Sequence, residues 1–181
     1  STKGHTTGPA PLTFGQSARR VADRLRPALP EGVALTSFTV SNACVSGLSA
    51  LIVAQRLLQL GDYDYAIVSG CDVLTPFIVA GFQSLKALSP EPCRPFDEDR
   101  CGLNLGEAAA TVLLQRCDAP DEVGPSDWVA LPGAMRNDAY HVSSPSRTAE
   151  GSYRALRAAS RCLPAPPTCL SAHGTATLYN D

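Results

Sequence analysis

Apolar residues near the start of the chain recur at helical spacing, with Phe14, Ala18, Val21, Ala22 and Leu25 separated by Arg19, Arg20, Asp23 and Arg24. The spacing predicts an amphipathic helix that ends at Pro27 to Pro30, because proline lacks the N–H that would continue it. Leu35 to Ser41 alternates β-branched and aromatic residues and reads as a strand, and Ser46 to Leu60 reads as a long apolar helix closed by Gly61. Tyr65 to Ser69 follows as a short buried strand, then a helix around Phe77 to Leu88 that Pro90 stops. A loop rich in proline and charge, Ser89 to Gly106, leads to Ala108 to Gln115, a strand apolar on both faces and so expected at the centre of a sheet. Past a polar connection come a strand near Trp128 to Leu131, a helix from about Ser152 to Cys162 and a strand from Thr168 to Ala172. Alternation of strands and helices predicts an α/β fold with a largely parallel sheet, helices on both faces and active residues at strand ends. The approximate internal boundary falls at 117–127, where the connection carries two prolines.

Composition narrows the function classes. With 181 residues, 44% hydrophobic and 18% charged, the chain can bury one core. A formal net charge of -2 and a pI near 5.9 give no global electrostatic reason for a nucleic acid or an anionic membrane as partner. No apolar run approaches the roughly 20 residues that span a bilayer, and Ser1 to Gly8 is polar, so a cytoplasmic protein is expected. The 7 cysteines are odd in number, dispersed and without a Cys-x-x-Cys pair, which predicts reduced thiols rather than a disulfide framework or a zinc ribbon. A start at Ser1 rather than methionine suggests a preceding segment.

Cys44 stands in Ser41-Asn42-Ala43-Cys44-Val45-Ser46-Gly47, between a predicted strand and a predicted helix, so the chain must turn sharply at the thiol. That is the layout of a nucleophile elbow. A helix starting there directs its unpaired amides and positive dipole end toward the sulfur and favours the thiolate. Small neighbours, Ala43, Ser46 and Gly47, leave space for a substrate.

Val40 to Leu51, centred on Asn42-Ala43-Cys44, resembles the active-site segment of the β-ketoacyl-acyl carrier protein synthases of fatty acid and polyketide synthesis. Three further segments occur in that family's order. They are Cys93-Arg94-Pro95-Phe96-Asp97 with Asp99-Arg100 and Gly106-Glu107-Ala108 behind it, Asp138-Ala139-Tyr140-His141, and His173-Gly174-Thr175-Ala176-Thr177 followed by Asp181. The resemblance implies a thiolase-like, layered αβαβα fold, of which this chain holds an incomplete, central part carrying the elbow. It also implies a decarboxylative Claisen condensation with Cys44 as acyl carrier, its own backbone amide in an oxyanion hole, and His173 donating to the malonyl thioester carbonyl. Thr175 and Thr177 become the candidates for substrate binding. The family's second catalytic histidine, the lysine before it and a glycine-rich gate are expected beyond residue 181.

Other residues are read structurally. His141 belongs to a segment that lies near the pocket without carrying the condensation, His5 has no chemical setting, and Glu107 and Asp97 are expected to hold loops. Cys169 four residues before His173 is a poor metal signal. Small departures from the family pattern stand at Ala109, where a second glycine is common, and at Cys101. The resemblance implies acyl carrier protein as partner, a homodimer or ketosynthase-type heterodimer, and no metal or organic cofactor, since both thioesters bring their own pantetheine arm. Rival readings are a non-condensing scaffold of the same fold and a thiolase-like acyltransferase using acyl-coenzyme A.

Overall fold

A computed structural model of the chain describes residues 13–141 and 145–181. His5 lies outside the described residues. The described residues fall into two compact units, 13–46 and those from 47 to 181.

In the first unit, helix α1 (Phe14–Leu25) forms where the sequence predicts it. Its first turn is closed by the Gln16 side chain, whose Oε1 accepts from the Thr13 N–H at 2.8 Å. A single 3-10 turn, Arg26–Ala28, follows at Pro27. Contrary to the expectation, Leu35 to Ser41 pairs with no strand among the described residues. Alternating side chains suit a pleated surface, but a strand exists only where a neighbouring backbone supplies the hydrogen bonds.

Helix α2 (Ser46–Gln59), in the second unit from Gly47 onward, buries Ser49, Ile52, Ala54, Gln55 and Leu58. The segment after residue 127 covers this face. Gln55 Nε2 donates to the Ala130 carbonyl at 2.6 Å, and Gly133 lies so close that a Cβ there would be 2.6 Å from Ile52 Cγ1. Trp128 to Leu131, with Trp128 fully exposed, is not assigned as a strand, nor is Thr168 to Ala172.

Strand β1 (Tyr65–Asp72) pairs antiparallel with β2 (Ala108–Gln115), from Tyr65 opposite Gln115 to Asp72 opposite Ala108. The Ser69 and Thr111 hydroxyls meet across the pair at 2.8 Å. Arg116 extends the ladder, its N–H donating to the Asp64 carbonyl at 2.9 Å and its guanidinium pairing with the Asp64 and Asp118 carboxylates. The expected parallel sheet is thus corrected to an antiparallel pair, because strand direction follows the route of the connection, which side-chain alternation does not encode. Nor is either strand buried as expected: with one neighbour each among the described residues they are edges, and Leu113 is 65% exposed.

Helix α3 (Pro76–Ser84) lies between the strands in the chain and is capped by Thr75, whose hydroxyl accepts from the Ile78 N–H. Glu107, at the foot of β2, accepts from the Leu74 N–H at 2.7 Å and so holds the loop that leads into α3. Helix α4 (Glu150–Ser160) comes late in the unit. No helix among the described residues is long and apolar enough to cross a membrane.

Candidate active site

Cys44 belongs to the first unit and is exposed, two positions before the first residue of α2. The chain reverses through Ala43, whose φ of 46° lies in the left-handed region that a residue with a Cβ enters only under constraint. Two backbone bonds of 3.1 Å impose it, Val45 N–H to Asn42 O and Ser46 N–H to Ala43 O. Ser46 completes the turn: its Oγ accepts from the Asn42 N–H at 2.7 Å and donates to the Ala43 carbonyl at 2.7 Å. Read from sequence as one of several small spacers, Ser46 is the side chain that braces the elbow. An isolated parallel bridge also joins Asn42 and Cys44.

His173 belongs to the second unit, is exposed and makes no hydrogen bond among the described residues. The residues on its C-terminal side, from Gly174 to Asp181, are tightly held. Gly174, Ala176 and, in a second loop, Phe96 have φ values of 56°, 54° and 63°. The Asp181 carboxylate gathers both loops: Oδ1 accepts from the Thr175 N–H at 2.9 Å, and Oδ2 accepts from the Ala176 N–H at 2.7 Å and the Phe96 N–H at 3.3 Å. Loss of hydration pushes this carboxyl up, but the N–H groups of Ala176 and Phe96, the Asn180 amide and the Thr175 N–H outweigh it. Together they hold Asp181 below the ordinary aspartate value of 3.8.

Two more bonds fasten the same loop. Gly102 N–H donates to the Ala176 carbonyl at 2.8 Å and Arg100 Nε donates to the Thr177 carbonyl at 3.4 Å. Ala176 is fully buried. Thr175 and Thr177 are brought together, their hydroxyls 2.9 Å apart, with Thr175 Oγ1 3.4 Å from Asp181 Oδ1. Of the sequence candidates, these two and His173 share one loop in the second unit, while Cys44 lies in the first.

Asp138 explains the third motif. Its carboxylate accepts from the Ser146 N–H, the Gly151 N–H at 3.0 Å and the Ser146 hydroxyl at 2.8 Å. These same groups, the Ser146 N–H first, hold its carboxyl below 3.8. Gly151 is the second residue of α4, so Asp138 closes that helix's first turn. A cleft of about 640 Å³ opens beside it, lined in part by Tyr140, His141, Tyr179 and Asn180. Asp97 accepts from the Asp99 N–H at 2.8 Å within its own loop. Sequence reasoning missed the carboxylates of Asp138 and Asp181 as loop holders; the signal available for Asp181 was an aspartate ending a segment rich in glycine and threonine, where backbone amides lack partners. Among the described residues no group of histidine, cysteine and carboxylate side chains is placed to hold a metal ion.

Residues 31–119, which include the Cys44 elbow, match the family described as beta-ketoacyl synthase, N-terminal domain. The chain is 32% identical over 162 residues to a 3-oxoacyl-[acyl-carrier-protein] synthase 2 of Staphylococcus aureus, covering 84% of this chain and 39% of the relative. A synthase of the same name from Rhizobium meliloti is 34% identical over 152 residues, 77% of this chain and 36% of the relative. Among solved structures, a ketosynthase from Xenorhabdus doucetiae in complex with its chain length factor superposes with a TM-score of 0.78 at 34% identity, covering 100% of this chain and 43% of that one. A beta-ketoacyl synthase from Burkholderia phymatum gives 0.66 at 28% identity, over 78% of this chain and 37% of its own. The chain therefore spans about two fifths of the length of the curated relatives it matches, and its fold is the thiolase-like fold of the ketosynthases. On the match over residues 31–119 and these relatives, the chain belongs to the β-ketoacyl synthase family.

Proposed function

We propose that the protein is a β-ketoacyl synthase that loads an acyl group on Cys44 and condenses it with malonyl-acyl carrier protein, in fatty acid or polyketide synthesis. The observation that carries this reading is the elbow: an exposed thiol after a left-handed Ala43, braced by Ser46, two residues before the start of α2. A nucleophile so placed can be reached by a pantetheine arm, and a helix start favours its anionic form.

In the first half-reaction the Cys44 thiolate attacks the acyl thioester carbonyl, the Cys44 N–H donates to the developing oxyanion, and the carrier's pantetheine sulfur leaves as thiolate. In the second, malonyl thioester loses carbon dioxide, and the electron pair of the broken carbon–carbon bond forms an enolate. His173 donates a hydrogen bond to the enolate oxygen. The enolate carbon attacks the acyl-enzyme carbonyl, and Cys44 leaves as thiolate. Thr175 and Thr177 bind the substrate arm beside His173. The partner is acyl carrier protein, as the names of the Staphylococcus and Rhizobium relatives suggest, and the protein works in the cytoplasm as a homodimer or with a ketosynthase-type second subunit.

The test is product formation: the protein incubated with acyl- and malonyl-acyl carrier protein should yield β-ketoacyl-carrier product, and the Cys44→Ala variant should yield none. Product at an undiminished rate from that variant would rule out the mechanism.

A further inference from the structure

The loop on the C-terminal side of His173 is unusual in its backbone. Ala176, in that loop, and Phe96, in the loop beside it, carry a Cβ at positive φ, and such conformations persist only where the surroundings over-determine them. Both of these residues donate their N–H to one atom, Asp181 Oδ2, while the other oxygen takes the Thr175 N–H. The loops also touch directly: a Cβ on Gly174 would lie 3.3 Å from Pro95 Cβ and 3.5 Å from the Phe96 ring. Remove the carboxylate and three amides lose an anionic acceptor together, with the strain at 96 and 176 no longer held. The peptide that would then relax is the one that fixes where the His173 ring leaves the backbone.

We propose that Asp181 is a positioning residue for His173, acting through the Thr175, Ala176 and Phe96 amides to hold the histidine's loop against the Phe96 loop. The proposal rests on the ketosynthase reading for the role of His173, but not for the role of Asp181 in the loop. Asp181→Asn separates acceptor chemistry from volume. Both oxygens accept from N–H groups, so either orientation of the new amide turns an NH2 against a donor.

The experiment measures malonyl-carrier decarboxylation, self-acylation of Cys44, and amide hydrogen exchange in the parent, Asp181→Asn and Asp181→Ala proteins. The expected result is a loss of decarboxylation of about a hundredfold, as misplacement of a catalytic group commonly gives, with self-acylation unchanged and faster exchange confined to residues 96, 175 and 176. Unchanged decarboxylation in Asp181→Asn, or unchanged exchange at 175 and 176, would overturn the proposal. So would loss of protection throughout both variants, which would make Asp181 a support of the whole fold. If the parent shows neither half-reaction, the ketosynthase reading fails, and the exchange pattern alone decides on Asp181: loosening at 175 and 176 upholds its hold on the loop, and no change overturns it.

Discussion

Replacing Gly102 by alanine should unfold the protein more readily and loosen the His173 loop from a distance. Gly102 has a φ of 127°, which side chains rarely adopt, and a Cβ there would sit 2.5 Å from the Ala87 carbonyl oxygen. Backbone forced into such a region costs about 1–3 kcal/mol. The obstructing atom is backbone and cannot swing aside; it accepts the Leu103 N–H at 2.8 Å, a bond that connects residues 87–89 with 101–103. Losing that bond adds about 1 kcal/mol, for a total of roughly 2–4 kcal/mol. Since stability is typically about 5–15 kcal/mol, that is a large share. The assay is urea unfolding followed by far-ultraviolet circular dichroism, with Gly106→Ala as control, because a Cβ at Gly106 meets nothing within 4 Å. Because the Gly102 N–H also holds the Ala176 carbonyl, decarboxylation should fall in the same variant under conditions where it is folded. A destabilisation under about 0.5 kcal/mol, the ordinary range for surface changes, would refute the reasoning.

Further outcomes are expected at the site. All 7 cysteines are exposed, so access does not rank them, and brief limiting iodoacetamide treatment of folded protein should label Cys44 first; preferential labelling elsewhere would count against the elbow. His173→Ala should slow malonyl decarboxylation by about a hundredfold or more, the usual cost of losing an oxyanion donor, while sparing self-acylation, and equal slowing of both would assign His173 to general organisation. The folded carboxyls of Asp138 and Asp181 lie below the ordinary 3.8. Their contribution to stability is therefore complete above that value and is lost as the pH falls through the lower folded values. Urea midpoints measured down the acid range should fall less steeply in the Asp138→Asn, Asp181→Asn double variant than in the parent.

Sequence pattern located the helices because each rests on local signals: the Phe14 to Leu25 stripe, the apolar run after Ser46 stopped near Gly61, and α4 within two residues of its predicted start. It placed β2 at its observed bounds, since Ala108 to Gln115 is a continuous uncharged run, apolar on both faces, between polar loops. It failed where structure depends on a partner distant in the chain. Leu35 to Ser41 and Thr168 to Ala172 look like strands one residue at a time, yet neither is assigned as a strand among the described residues. The elbow at Cys44 could be anticipated from small residues between two predicted elements, but the left-handed Ala43 and the bracing Ser46 hydroxyl could not, because a serine two residues past the nucleophile has many possible uses. Asp181 shows the same limit. Its position after His173 was visible, while its bond to Phe96, 85 residues away, is a product of the fold.

The most direct measurement for the central claim is the site of acyl attachment. Protein mixed with acyl-carrier thioester should be quenched within one turnover, digested and mapped by mass. An acyl group is expected on the peptide containing Cys44 and on no other cysteine, and should be lost in Cys44→Ala; acylation at another residue, or none in folded protein that binds the carrier, would contradict the assignment of Cys44 as nucleophile.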